Sequence, residues 1–237
     1  MALKKLHSSK TATNVPKQNY YYNIKCGALL ILAFIIWTVL IQVVDVQYNG
    51  VNGTSIGFAT INSLCHDLTG VNISLYNITD WLGLVPVFVC MIFAFLGFVQ
   101  LIKRKSLFKV DADIIITGFY YIIVIVFYLV FEAYPINYRP ILINGFMEAS
   151  YPSSTTLLVL CVMLSLIFLV KRRIKNKRFC NFICAFSMIF SVFMVAGRLI
   201  SGVHWLTDII GSCLLSAGLY NVYKGVVLWS LMKNCKN

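Results

Sequence analysis

The chain has 237 residues, of which 59% are hydrophobic and only 12% charged, with a net charge of +12 and a mean hydropathy of +0.82. Soluble domains use roughly one-quarter charged residues, so the composition excludes a soluble globular protein and predicts an all-α integral membrane protein. The positive balance does not read as nucleic-acid binding, which needs a solvated basic face that so apolar a chain lacks.

Taken in chain order, residues 1–24 read as a polar cytoplasmic tail whose first apolar run starts too late for a cleavable signal peptide. Apolar runs near twenty residues, enough to cross about 30 Å of hydrocarbon, then recur six times. They lie at about 26–44, 82–102, 114–131, 157–170 (extended back through Pro152), 182–200 and 207–229. None shows the alternation of a barrel strand, so all six are predicted to be helices, the alternative that satisfies every backbone group in lipid. Residues 25–231 therefore read as one six-helix bundle, followed by a short tail at 232–237. The one long connection, 45–81, is rich in Asn, Gly and Thr and holds three N-x-S/T patterns. Its apolar pieces, such as "IGFATI", are expected to lie on the membrane surface.

Lysine and arginine settle the orientation. Eighteen of the twenty fall before the first span, in "KRKSLFK" (103–109), in "KRRIKNKR" (171–178) or near the C-terminus. With six spans these places share one side, the cytoplasm by the positive-inside rule, and both termini lie there. The opposite side carries Asp45, Asp67, Asp80, Glu132 and Glu148, with Arg139 and Arg198 as its two cations. Most of the eight cysteines lie in spans or on the inner side, where thiols stay reduced, and no structural disulfide is expected. Trp205 is expected to anchor its helix at the interface, and Gly211 and Ala217 to permit close helix approach.

Ionisable residues at membrane depth are by default candidates for function. Two loops open to the outer side, 132–156 and 197–208, and they bring Arg139, Ser153, Arg198, His204 and Asp208 to one depth. Two guanidinium forks with a small hydroxyl make a trap for a phosphate-like oxyanion. His204 and Asp208 are spaced i, i+4, so on a helix beginning there both would project from one face. A carboxylate holding one imidazole nitrogen leaves the other free to attack.

These residues resemble a known family. "GRLISGVHWLTD" is similar to the Ser-Arg-x5-His-x3-Asp motif of the type 2 phosphatidic acid phosphatase superfamily, with Gly197 in place of serine. "EAYPINYRP" is similar to its Lys-x6-Arg-Pro motif, keeping Arg139 and Pro140 but with Glu132 where lysine is expected. "PSST" resembles its Pro-Ser-Gly-His motif, keeping Pro152 and Ser153, with Ser154 for glycine and Thr155 for histidine. The resemblance covers about residues 80 to 230. It implies a metal-independent phosphatase without cofactors, in the plasma membrane, acting on a lipid phosphate or polyprenyl diphosphate at the extracytoplasmic face. His204 would form a phosphohistidine, Asp208 orient it, and Arg139, Arg198, Ser153 and Ser154 cradle the phosphate oxygens.

The departures bear on the substrate. The family histidine at position 155 protonates the departing oxygen, which a threonine hydroxyl is too weak an acid to do. Glu132, Glu148 and His66 are the candidate replacements, with Glu132 equally fitted to pair with Arg139. A diphosphate needs no such acid, because its leaving lipid phosphate has a second pKa of about 6. A degenerate member that binds a phosphorylated lipid, or transfers its head group, without hydrolysis remains the alternative reading.

Overall fold

A computed structural model describes residues 17–234, and within them the chain is helical. Eight α-helices follow in order: α1 (Lys17–Val43), α2 (Ala59–Thr69), α3 (Ile73–Leu82), α4 (Leu84–Arg104), α5 (Ala112–Ala133), α6 (Ser154–Arg173), α7 (Lys177–Ile200) and α8 (Leu206–Asn234). Isolated bridges pair single residues in the loops.

Helix α1 starts earlier than the expected end of the polar tail. The run from Lys17 to Asn23 contains neither Gly nor Pro, so nothing stops the helix of the apolar segment from propagating outward. The remainder of the expected tail, residues 1–16, and residues 235–237 lie outside the described residues.

Among the described residues, five helical stretches are long and apolar enough to cross a bilayer, at Tyr20–Val43, Ile73–Arg104, Ala112–Ala133, Ser154–Arg173 and Lys177–Ile200. The second joins α3 to α4 across Gly83 and counts 32 residues. At 1.5 Å per residue that is about 48 Å, well beyond the roughly 30 Å of hydrocarbon. Gly83 divides that stretch into α3 and α4, and α3 packs against α7.

The sixth expected span, α8, is 29 residues long but is not among these five. Ser212, Ser216, Asn221 and Lys224 dilute its apolar content. Its environment explains this: α8 packs against α1, α5 and α6, and Leu215, Tyr223 and Val227 are buried while α1, α4, α5 and α7 turn large side chains such as Leu29, Phe95, Phe119 and Val192 outward. A helix surrounded by protein does not need the apolar circumference that lipid demands.

Glycines let α8 approach α1. A Cβ on Gly27 would stand 2.8 Å from the Gly218 carbonyl oxygen, and one on Gly218 would stand 2.8 Å from Ile31 Cγ1 and 3.1 Å from its backbone nitrogen. Of the two small residues expected to serve this purpose, Gly211 accommodates a ring, with Tyr151 Cε2 2.5 Å from where its Cβ would be. That ring stacks on Phe34 at 6.0 Å, and its hydroxyl shares a 2.7 Å hydrogen bond with Thr38.

The basic end is fastened by ions. Arg104 meets Asp111 at 2.7 Å, Arg173 meets Asp111 at 3.1 Å and also pairs with Asp113. Partial burial would raise the Asp111 pKa, but hydrogen bonds from Arg104, Gln100 and Arg173 outweigh it and hold the carboxyl below its ordinary range. The ends of α4 and α6 and the start of α5 are thereby joined.

The connection at 45–81 departs from a surface-lying loop. Ile56 and Ala59 of "IGFATI" are 2% and 1% exposed and cluster with Trp205, because Asn62 reaches from α2 to Thr207 Oγ1 at 3.0 Å and seats this segment on the start of α8. A leucine at Gly218 is expected to overpack the α1–α8 contact and destabilise the protein by about 1–3 kcal/mol. Thermal unfolding in detergent measures this, with Gly118→Ala, where an added methyl meets nothing within 4 Å, as the silent control.

Candidate functional site

The polar residues gather at the end of the bundle opposite the ionic fastening. The loop from α5 to α6 folds back on itself, with Arg139 N donating to Glu148 O at 3.1 Å and Ser150 N to Asn137 O at 2.9 Å. Arg139 and Ser150 are thus carried on facing strands of one turn. Trp205 ties this loop to the one before α8, its indole N–H donating to Tyr138 O at 2.8 Å. The indole is 6% exposed, so it serves as an internal tie and not as the interfacial anchor expected.

His204 lies two residues before α8, so it is not on the helix with Asp208 as its spacing suggested. Helix initiation explains the geometry. Asp208 Oδ2 accepts the Trp205 backbone N–H at 2.8 Å in the manner of a terminal cap, and it lies 3.6 Å from His204 Nδ1. Ser150 stands between them, its Oγ 3.2 Å from His204 Nδ1 and donating a short hydrogen bond to Asp208 Oδ2. The carboxylate therefore reaches the imidazole chiefly through a serine hydroxyl that no motif had marked.

The other imidazole nitrogen fixes the tautomer. His204 Nε2 is 3.1 Å from Arg198 Nη2, and a guanidinium can only donate. Nε2 must accept, so the proton sits on Nδ1 and the lone pair faces the arginines. The ring is 3% exposed. Burial, then the charges of Arg198 and Arg139, push its pKa well below the ordinary 6.5.

Both arginines are buried, Arg139 at 9% and Arg198 at 1% exposure. Each has a carboxylate at its edge: Arg139 Nη2 is 3.1 Å from Glu148, and Arg198 Nη1 is 3.5 Å from Asp80. Four guanidinium nitrogens, Nε and Nη1 of both residues, nevertheless have no hydrogen-bond acceptor among the described residues. Buried charged donors left unpaired are expensive, and together they offer a fork-like set of N–H groups suited to a tetrahedral oxyanion.

The remaining expected residues divide. Ser153 stands at the N-cap position of α6 without a side-chain capping bond; its hydroxyl donates to Thr156 Oγ1 at 3.0 Å and not towards a guanidinium. Ser154 and Thr155 line an adjoining cavity of about 250 Å³ with Asp80, Leu84, Ile125 and Leu158. Glu132 is exposed and, among the described residues, forms no ion pair; Glu148 holds the Arg139 partnership instead. His66 packs its ring on Trp205, 5.6 Å between centroids.

Helix α3 brings residues that sequence reasoning missed. Tyr76 lies against both guanidiniums, its ring centroid 4.9 Å from Arg198 Cζ and 5.5 Å from Arg139 Cζ, and Asp80 follows one turn later. No motif announces them; the signal in the sequence is only the i, i+4 spacing of an aromatic and an acid in a connection between spans.

Residues 131–231 match the family model described as the PAP2 superfamily. Over that stretch the chain is similar to that superfamily. The matched stretch runs from the end of α5 through α8 and contains Arg139, Ser150, Arg198, His204 and Asp208, whereas Tyr76 and Asp80 lie outside it. Among solved structures, the fold is similar to that of a transmembrane PAP2-type phosphatidylglycerolphosphate phosphatase from Bacillus subtilis. The TM-score is 0.60 at 18% identity, over 85% of this chain and 95% of that one. No curated protein matches the chain. The apolar helices and this fold make the chain a multi-pass membrane protein.

The depressed histidine gives a pH-dependent expectation. A base whose pKa is lower folded than unfolded takes its proton later in the folded state, so its contribution to stability is intact above pH 6.5 and is lost as the pH falls below it. In a variant with His7 and His66 replaced by Asn, the ring nitrogens of His204 are expected to read as neutral at pH 6 by nitrogen NMR. A ring half-protonated near pH 6.5 would contradict the buried, arginine-flanked geometry.

Proposed function

We propose that this protein is a membrane phosphatase that removes phosphate from a lipid phosphate or a polyprenyl diphosphate at the extracytoplasmic face of the plasma membrane. The observation that carries this reading is the set of four guanidinium nitrogens without a hydrogen-bond acceptor among the described residues, beside an imidazole whose lone pair faces the same arginines. In this reading α8 is the sixth span, both termini are cytoplasmic, and the ionic fastening with its cationic surroundings is the inner end, as the lysine and arginine distribution requires.

The chemistry follows from the donors. The phosphoryl oxygens sit among Arg139 and Arg198, displacing Glu148 and Asp80 from their edges. His204 Nε2 attacks phosphorus, the bond to the leaving oxygen breaks, and the positive charge that develops on the ring is stabilised through Nδ1–H, Ser150 and Asp208. Water then attacks the phosphohistidine, releasing inorganic phosphate and restoring the neutral ring. Phosphoryl transfer depends mainly on positioning and charge stabilisation, and here two guanidiniums supply the charge. Ser153 serves the cradle through its backbone position at the start of α6, and Ser154 and Thr155 border the leaving-group side.

Thr155 directs the substrate preference. Its neighbours include Leu84, Ile125 and Leu158, and the carboxyl that lines the same cavity, Asp80, is paired with Arg198, so an alkoxide leaving there would find no histidine to protonate it. A leaving lipid phosphate needs none, which favours the diphosphate. The same feature is what favours the second reading, a site that holds a phosphorylated lipid without hydrolysing it.

Purified protein is expected to release inorganic phosphate from lipid diphosphates faster than from phosphatidic acid, and equal or faster turnover of the monoester would count against the preference. His204→Ala is expected to lower that release by more than about 10³-fold; release from neither protein, across several lipid phosphates, supports binding alone. Arg198→Lys, which keeps the charge and loses the fork, is expected to lower kcat/KM by about 10².

A further inference from the structure

The family segment begins at residue 131, yet the two arginines lean on a residue well before it. We propose that Tyr76 of α3 is a positioning residue of the anion pocket, holding Arg139 and Arg198 convergent on a phosphate through the face of its ring. The proposal rests on the reading of the pocket as a phosphate site.

Two like charges buried side by side repel, and each guanidinium can swing on a long side chain. Glu148 and Asp80 do not hold them for phosphate, because each draws one arginine to its own edge. Tyr76 differs in touching both, at 4.9 Å and 5.5 Å, and a neutral ring face attracts a cation without occupying a hydrogen-bond donor. The N–H groups stay available while the planes are held.

For the ring to do this, α3 must itself be fixed, and three contacts with α7 and the turn after it fix it. Asn72 N donates to Ser201 O at 3.0 Å. Gly202, at φ +68°, lies so close to the Gly70 carbonyl that an added Cβ would stand 1.9 Å from its oxygen. Thr79 Cγ2 is 2.7 Å from where a Cβ on Gly197 would be. The last contact explains the glycine that replaces the serine of the family motif: its missing side chain is the space that α3 occupies, and Tyr76, Thr79 and Asp80 share one face of α3 by their i, i+3, i+4 spacing.

Orthovanadate, a phosphate mimic, is the probe. In full-length protein in detergent, Tyr76→Leu is expected to raise the vanadate Kd and the KM for a lipid diphosphate about tenfold, with a smaller fall in kcat and an unchanged melting midpoint. Tyr76→Phe, which keeps the ring face, should hold the Kd within about twofold. Gly197→Ala should weaken vanadate binding by pressing on Thr79, and Thr79→Ser, which removes the opposing methyl, should restore it. A Tyr76→Leu protein with wild-type Kd and KM, or a Tyr76→Phe protein as weak as Tyr76→Leu, overturns the proposal while the phosphatase reading stands. Wild-type protein that binds vanadate in a Tyr76-dependent way but releases no phosphate overturns hydrolysis and leaves the positioning role. Wild-type protein that does neither overturns both.

Discussion

Two guanidinium groups buried against one phenol ring, with a neutral imidazole beside them, are the constraint around which the rest of this structure is arranged. Such a group of cations cannot be stable in a water-poor site unless their field is answered. Part of the answer is internal: Asp80 and Glu148 stand at the edges and Tyr76 at the faces. The rest is deferred to a ligand, because four guanidinium nitrogens keep no acceptor among the described residues. The imidazole is drawn into the same logic. The neighbouring positive charges disfavour its protonation, and the Arg198 donor fixes which nitrogen carries the lone pair. A neutral, oriented nucleophile and an anion cradle are thus one electrostatic solution and not two separate features.

Keeping that solution in place falls to short loops held by side chains. The turn that carries Arg139 and Ser150 is fastened to the turn that carries His204 by the Trp205 indole. The start of α8 is terminated by Asp208, which caps its own helix and engages Ser150 at once. One carboxylate oxygen, Oδ2, therefore ends a helix, engages a serine and approaches a histidine, while the buried Oδ1 has no hydrogen-bond partner among the described residues. Helix α3 closes the other side. It precedes α4 across Gly83 and packs against α7, and that packing is what brings an aromatic ring over the arginines.

The membrane sets where polarity is tolerated. Helices that face lipid carry leucine, valine and phenylalanine outward, while α8, wrapped by its neighbours, carries serines, an asparagine and a lysine that a lipid-facing helix would not accommodate at low cost. Glycines at the α1–α8 contact replace side-chain interdigitation with backbone approach, the usual means of association where the hydrophobic effect offers little drive. The two ends of the bundle are consequently different in kind: one is fastened by ion pairs among Arg104, Arg173, Asp111 and Asp113, the other by hydrogen-bonded loops around two cations that carboxylates meet only at their edges.

By itself the sequence determined the positions of the apolar helices, the asymmetry of lysine and arginine, and the meeting of Arg139, Arg198, His204 and Asp208, because hydropathy, charge and motif spacing are local properties written along the chain. It also marked the substitutions at Gly197 and Thr155 without explaining them. Only the tertiary structure decided that Ser150 stands between His204 and Asp208, that Ser153 turns to Thr156, that Glu148 and not Glu132 meets Arg139, and that Tyr76 and Asp80 belong to the site. Each of these depends on which loops and helices pack together at one end of the bundle. Contacts between residues as far apart as 76 and 198 leave no periodic trace, since they are set by the angle and length of packed helices and not by the order of side chains along any one of them.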